Sequence, residues 1–318
     1  MEILICKAIS GYRMSNEAAG KSPVTTSWHN ANLGYFLKWF ESENGEDSTL
    51  SQITPIAIRT YLNELRNGKH RYESHPYRSA SNRSVSPRTI QAYYSSLSAF
   101  FNWCIREELI IGSPLKNIPR PKIPKFLPDP FSEDEIRSLF SAAKRYEEAK
   151  SARLIAIMLM LLDTAVRLSE LLNMKIEDVD IDQGRIKVMG KGSKERFVFF
   201  GRSTKRNLWR YINLYRSDPL PRISNLFLTQ SGHPISSRRL AHYLTEVGKE
   251  ANVENVHPHR WRRTAAIQFL RNSNGDVLAL QKLLGHETLE MVRRYVNYTP
   301  DDVARAHKIA SPVDNLGL

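Results

Sequence analysis

Residues 112–130 read GSPLKNIPRPKIPKFLPDP. Proline lacks the backbone donor that a helix or a sheet ladder needs, and a run of prolines favours extended geometry. No regular element crosses this stretch, so the chain divides here, with 120–130 as a proline-rich linker. A length of 318 residues agrees, because domains usually hold about 100–200 residues.

Working back from the linker, apolar residues recur at helical intervals. In SWHNANLGYFLKWFE they are Leu33, Phe36, Leu37 and Phe40. A second helix is expected from about Pro55 to Leu65. A third is expected from about Pro87 to Glu108, with Ser86 as N-cap before Pro87 at the first helical position. Residues 24–119 therefore read as an all-helical domain, preceded by an N-terminal extension over 1–23. The polar, basic stretch at about 68–85 reads as a loop, either solvated or contacting phosphates.

Working forward, SEDEIRSLFSAAKR opens with a capping-box pattern, Ser132 followed by Glu135. A long apolar helix is expected from Arg153 to Asp163. RIKVMG and ERFVFF alternate in the manner of strands and are joined by KGSK, which predicts a β-hairpin. Helices are expected near 203–217, 236–251, 258–272, 276–284, 288–297 and 301–310. The fold class is thus mainly α with a small antiparallel β-sheet, residues 131–300 forming the second domain and 301–318 a tail.

Lys and Arg total 46 against 33 Asp and Glu, a formal charge of +13. A surface this basic suits a polyanion. The apolar stretches, such as Leu154 to Leu162, are shorter than the roughly 20 residues of a membrane span, so no membrane insertion is expected. MEILICKAIS carries no small-residue cleavage site, and a cytoplasmic location is expected. Cys6 and Cys104 lack the spacing of a zinc site or a disulfide framework, and Cys104 reads as a core thiol.

Transesterification of a phosphodiester needs a nucleophile, an acid for the leaving oxygen, and cations around a phosphorane that gains negative charge. The polar clusters here hold Arg, Lys, His and Tyr rather than the grouped carboxylates of a two-metal nuclease, so no metal and no cofactor are expected. Four segments are candidates. TAVRLSELLNM sets Arg167 at a helix start with Glu170 one turn on, either a structural ion pair or a phosphate clamp braced by the carboxylate. Lys191 stands at the hairpin tip between Gly190 and Gly192, either solvated or able to donate a proton to a leaving oxygen. HPHRWRRTAAIQFL places His259 and Arg262 on one helical face, while Arg260 and Arg263 suit plain contacts with DNA backbone. LLGHETLEMVRRYVNYT contains His286, Tyr295 and Tyr298.

In order and spacing these segments resemble the tyrosine recombinases, the phage-integrase and Xer-like enzymes, over roughly 131–300. Arg167 with Glu170 is followed 24 residues later by Lys191 in GKGSKER, then by the His259-x-x-Arg262 box, LLGH ending at His286, and Tyr295 nine residues further. The resemblance implies that Arg167, Arg262 and His286 hold the non-bridging oxygens, Lys191 acts as acid, His259 assists proton movement, and Tyr295 attacks to form a 3′-phosphotyrosyl link. It also implies that 24–119 is a core-binding domain closing with the catalytic domain around double-stranded DNA with paired recombination sites. The tail would pack on a neighbouring protomer in a homotetramer. Trp261 and Arg263 depart from the Leu and His common at those places in the box. The lack of a further N-terminal arm-binding segment suggests one of the simpler family types, acting in integration, excision or resolution of a mobile element or replicon. Two other functions fit parts of the pattern: a type IB topoisomerase-like relaxing enzyme, and an architectural DNA-binding protein without catalysis.

Overall fold

The computed structural model describes residues 2–67, 85–123, 129–190, 194–273, 275–285 and 288–293, with 304, 307–308 and 311–316 beyond them. It separates into two compact units, Met1–Phe126 and Leu127–Leu318.

The first unit contains α1 (Ile5–Ala18), α2 (Pro23–Asn44), α3 (Pro55–Arg66) and α4 (Pro87–Arg106). Three of these begin with the same device. Ser22, Thr54 and Ser86 each accept a hydrogen bond at 3.2 Å from the backbone N–H three residues on, and a proline follows each cap. The caps satisfy donors that a helix start leaves open, while proline lacks the one donor nothing would use.

Behind the caps lies a core rich in aromatic rings: Tyr12, Phe36, Trp39, Phe40, Tyr61, Phe100, Phe101 and Trp103. Tyr61 meets Phe36 edge-on at 5.1 Å, and Tyr12 meets Phe100 at 5.7 Å. Cys104 sits fully buried here, and burial pushes its thiol up to about 12.

Residues 1–23 were expected to be an extension, yet α1 is part of this core. Ile5, Ala8 and Tyr12 fall on one helical face and are buried, and the Ile5 N–H donates to the Ser48 carbonyl at 3.0 Å. Gly11 brings α1 against α4, since a Cβ there would lie 3.1 Å from the Trp103 ring.

In the second unit, α6 (Glu148–Thr164) is the central element, with Leu154, Ile157, Met158, Met160 and Leu161 all buried. It starts earlier than the apolar run, because Glu147 caps the N–H groups of Ala149 and Lys150. Around it lie α5 (Glu133–Ala143), α8 (Arg202–Arg210) continuing into one π-helical turn (Tyr211–Tyr215), and α10 (Pro258–Asn272), with α9 (Ser237–Glu250) packed on α5. At α5 both bonds of the Ser132–Glu135 capping box are present.

The hairpin strands β2 (Arg185–Met189) and β3 (Glu195–Phe199) are antiparallel and in register from Arg185 opposite Phe199 to Met189 opposite Glu195. A two-residue strand, β1 (Val179–Asp180), adds to β2. Side chains alternate between faces along a strand. Ile186, Val188 and Val198 point inward, whereas Phe197 and Phe199 are exposed. A smaller core of Ala165, Ala265, Ala266, Leu270, Leu280, Leu284 and Val292 joins α10 to α11 (Val277–Leu284) and α12 (Leu289–Arg293).

Candidate active site

The site is built around the end of α11. A helix leaves its last carbonyls without intrahelical donors, and Gly285 stops α11 in the left-handed region at φ +61°. Three arginines from three different elements meet the carbonyls left there. Arg196 on β3 points its Nε at the Leu283 oxygen at 3.4 Å. Arg262 on α10 donates to the Leu284 oxygen at 2.8 Å. Arg167, the N-cap of α7 (Leu168–Leu172), reaches the Gly285 oxygen at 3.4 Å. Cations near a helix C-terminus also suit its negative dipole end.

Each arginine is fixed from a second direction. Arg262 is 4% exposed and donates through Nη1 to the Ala165 carbonyl at 2.6 Å. Ala165 ends α6 at φ 51°, a strained conformation for a residue with a Cβ. The Arg262 guanidinium therefore ties together the turn two residues before Arg167 and the turn two residues before His286. Arg167 itself is bound by Glu170, whose carboxylate takes the Arg167 Nη1 and backbone N–H, both at 2.8 Å.

Glu170 has a second cation. Arg196 donates two parallel bonds to it, Nη1 to Oε1 and Nη2 to Oε2, each 2.9 Å. Burial alone would raise this carboxyl, but the hydrogen bonds and charge of Arg196 and the donors of Arg167 outweigh it and hold the group down at about 2. The carboxylate is thus ionised at every physiological pH, and it locks two guanidinium groups in place. Sequence reading paired Glu170 with Arg167 alone and missed Arg196. A signal was present: alternation puts Arg196 in phase with Val198, on the inward face of β3, where a charge needs a partner.

His259 is exposed in the first turn of α10. Its neighbour His257 caps that helix, accepting the Arg260 N–H at 3.2 Å. Burial lowers the His257 pKa, helped by the nearby charges of His259 and Arg260.

Arg260 corrects the sequence expectation. Rather than standing free for DNA backbone, it is 9% exposed and holds the Asp129 carbonyl, the Glu254 carbonyl and the Glu135 carboxylate at 2.9, 2.7 and 2.8 Å. It pins the start of the second unit onto α10. Trp261, in the position where the box departs from its common form, is fully buried against Phe131 at 4.8 Å.

Of the six expected catalytic residues, Arg167 and Arg262 are brought to one turn, and His259 stands at the start of the helix that carries Arg262. Lys191, His286 and Tyr295 lie outside the described residues, as do Gly192, Tyr298, most of the 68–85 loop and half of the tail.

The phage integrase family profile matches residues 130–301. Among curated proteins, the tyrosine recombinase XerC of Staphylococcus epidermidis is 32% identical over 225 residues, covering 70% of this chain and 75% of that protein. XerC of Leptospira interrogans is 28% identical over 293 residues, covering 92% and 88%. Among solved structures, the Tn1549 transposon integrase bound to transposon right end DNA aligns with TM-score 0.74 at 18% identity, covering 99% of this chain and all of that one. The XerH site-specific recombinase in a post-cleavage complex with difH aligns at 0.67 and 21% identity, covering 94% and 82%. This chain belongs to the phage integrase family and is a site-specific DNA recombinase of the tyrosine type. Among the described residues, no helix is long and apolar enough to cross a membrane.

Proposed function

We propose that this enzyme cuts and rejoins duplex DNA with Tyr295 as nucleophile, and that Arg167 and Arg262, held with Arg196 at the end of α11, hold the phosphate. The observation that carries this reading is the meeting of Arg167, Arg196 and Arg262 on three consecutive carbonyls, Leu283 to Gly285, immediately before His286 in the chain. Guanidinium groups fixed in advance stabilise a charge that develops later without reorganising, which is where such sites gain most. A guanidinium has five N–H donors, so holding a carbonyl is compatible with holding a phosphoryl oxygen.

In this mechanism the Tyr295 oxygen attacks phosphorus, and the bond from phosphorus to the 5′ oxygen breaks. Lys191 supplies the proton that leaves with the 5′ hydroxyl, and His259 assists removal of the tyrosine proton. Arg167, Arg262 and His286 hold the non-bridging oxygens. The product is a 3′-phosphotyrosyl ester, reversed when an incoming 5′ hydroxyl attacks it. Bond energy is conserved, so no nucleotide cofactor is required, and the arginines supply the positive charge for which other nucleases use metal ions.

Several solved relatives are DNA complexes, among them a lambda integrase dimer on a core site and Tn1549 integrase on transposon end DNA. They support duplex DNA carrying recombination sites as the partner. On this reading the working assembly is a homotetramer on paired sites, and the task is integration, excision or resolution of a mobile element or replicon in the cytoplasm. Residues 24–119, together with α1, would act as the core-binding domain, 131–300 as the catalytic domain, and 301–318 as the segment exchanged between protomers.

The test uses a nicked duplex containing the site that the protein itself selects from a random library. Tyr295→Phe removes only a hydroxyl, so DNA binding is retained and the covalent protein–DNA band disappears. Loss of that band in Tyr298→Phe, with Tyr295→Phe still forming it, would overturn the assignment.

A further inference from the structure

We propose that Arg196 is a positioning residue of the cleavage reaction, holding Glu170, and through it Arg167, against the turn that ends in Gly285. The inference rests on the reading of Arg167 as a phosphate-stabilising group.

Four observations converge on Arg196. It sits on the inward face of β3, opposite Val188, with its side chain only 16% exposed. Its fork meets both oxygens of Glu170, a carboxylate whose side chain is 3% exposed. Its Nε faces the Leu283 carbonyl. Finally, two glycines leave it room. A Cβ on Gly285 would lie 3.1 Å from its Cζ and Nε, and a Cβ on Gly190 would lie 3.4 Å from its Nη1.

Those glycines belong to the segments that carry the other candidates. Gly190 directly precedes Lys191, and Gly285 directly precedes His286. One guanidinium thus touches the base of the Lys191 hairpin, the carboxylate that orients Arg167, and the turn leading to His286. At Gly190 a β-carbon would press on the Lys194 carbonyl oxygen at 3.2 Å and touch the Arg196 Nη1 at 3.4 Å, so the turn packs directly on this guanidinium.

A salt bridge retained only for stability is a poor use of an inward position, since burying two charges costs more than an apolar pair of the same size. Its advantage is geometric. Parallel bonds from a planar fork fix the carboxylate in both distance and orientation, and a lysine cannot reproduce that. With Glu170 fixed on one side, Arg167 inherits a single orientation on the other.

The experiment compares Arg196→Lys, Gly285→Ala, Arg167→Lys and the Arg196→Lys/Arg167→Lys double variant in the full-length protein. Single-turnover cleavage of the nicked duplex is measured at saturating protein, normalised to the DNA-binding-competent fraction. Arg196→Lys is expected to bind DNA with unchanged affinity and salt dependence and to cleave about 10–10²-fold more slowly, the scale of a misplacement of about 1 Å in a reacting group. Combined with Arg167→Lys it should add little, because both changes act through one group.

If Arg196→Lys does not fold, Arg196→Gln takes its place with the same expected loss of cleavage and retained binding; Gly285→Ala is read only beside it, because it strains the left-handed turn before His286 as well as crowding Arg196. Wild-type cleavage by the folded variants, or full additivity in the double variant, overturns the inference. If Arg167→Lys itself cleaves normally, the phosphate-site reading fails instead. If Arg167→Lys is impaired while Arg196→Lys is not, only the present inference fails.

Discussion

The interior of the first unit and the interior around α11 solve the same problem with opposite materials. In the first, rings fill the space between four helices, and Tyr12, Phe36, Tyr61 and Phe100 are each no more than 2% exposed. In the second, a small core of Ala165, Ala265, Ala266, Leu280 and Leu284 is bordered by three arginines and a carboxylate. The rings stabilise by removing apolar area from water, without a required direction. The arginines carry a cost of burial that is offset only when every donor finds its acceptor. An aromatic core makes a folded body, whereas the arginine-bordered core makes a body with fixed positive charge at one turn. The difference teaches where sensitivity to small changes should lie: to volume in the first unit, to geometry in the second.

The largest expected effect tests the aromatic side of that contrast. Phe100→Ala removes a fully buried ring and should cost about 3–5 kcal/mol of stability, read as a lower denaturation midpoint of the first unit. The saturated cleavage rate should be unchanged in the fraction that remains folded. A change in that rate would mean that the first unit takes part in the chemical step and that the contrast is drawn in the wrong place.

Arg262→Lys tests the other side. It keeps the charge but loses the fork that spans Ala165 and Leu284. A loss of roughly 10²–10³ in saturated cleavage rate, about 3–4 kcal/mol, is expected, with DNA binding largely kept. Arg260→Lys, two residues away, is the matched control. It should lower thermal stability by loosening Asp129, Glu254 and Glu135 while leaving the saturated rate near wild type. Equal rate losses in the two variants would erase the distinction between a pinning and a phosphate-holding arginine.

The smallest effect is a pH dependence. The Glu170 carboxyl lies at about 2 in the folded chain against an ordinary 4.5. Its contribution is complete above pH 4.5 and falls as pH drops towards 2, where the folded carboxyl takes up its proton. Integrated over that window it amounts to about 3 kcal/mol at most. Acid titration of wild type and Glu170→Gln, followed by circular dichroism, should show a stability difference that narrows below pH 4.5. An unchanged difference down to pH 2 would mean that Arg167 and Arg196 do not hold the charged form.

Much of the fold could be read from local pattern. Helix starts at Pro55 and Pro87, the Ser132–Glu135 box and the β2–β3 hairpin are all written within a few residues, because caps and alternation act over short range. α1 escaped, since the apolar residues of its inward face are just Ile5, Ala8 and Tyr12, and their weight shows only in the packing of α1 against α2 and α4. The helix at Glu148 began early for a similar reason, a cap supplied by a residue outside the apolar run.

For the site, the sequence by itself determined which residue types were available and in what order: Arg167 with Glu170, the His259–Arg262 box, and the family to which that order belongs. Tertiary structure alone decided which arginine does what. Arg260 and Arg262 are two residues apart and chemically identical, yet one pins Asp129 and the other Ala165. Arg196 lies 26 residues from Glu170 in the chain and forms a two-pronged bond with it. Charge and propensity are properties of a residue and can be read one at a time. The partner of a buried charge is a property of the packed interior, and it exists only once distant segments have been brought to the same turn.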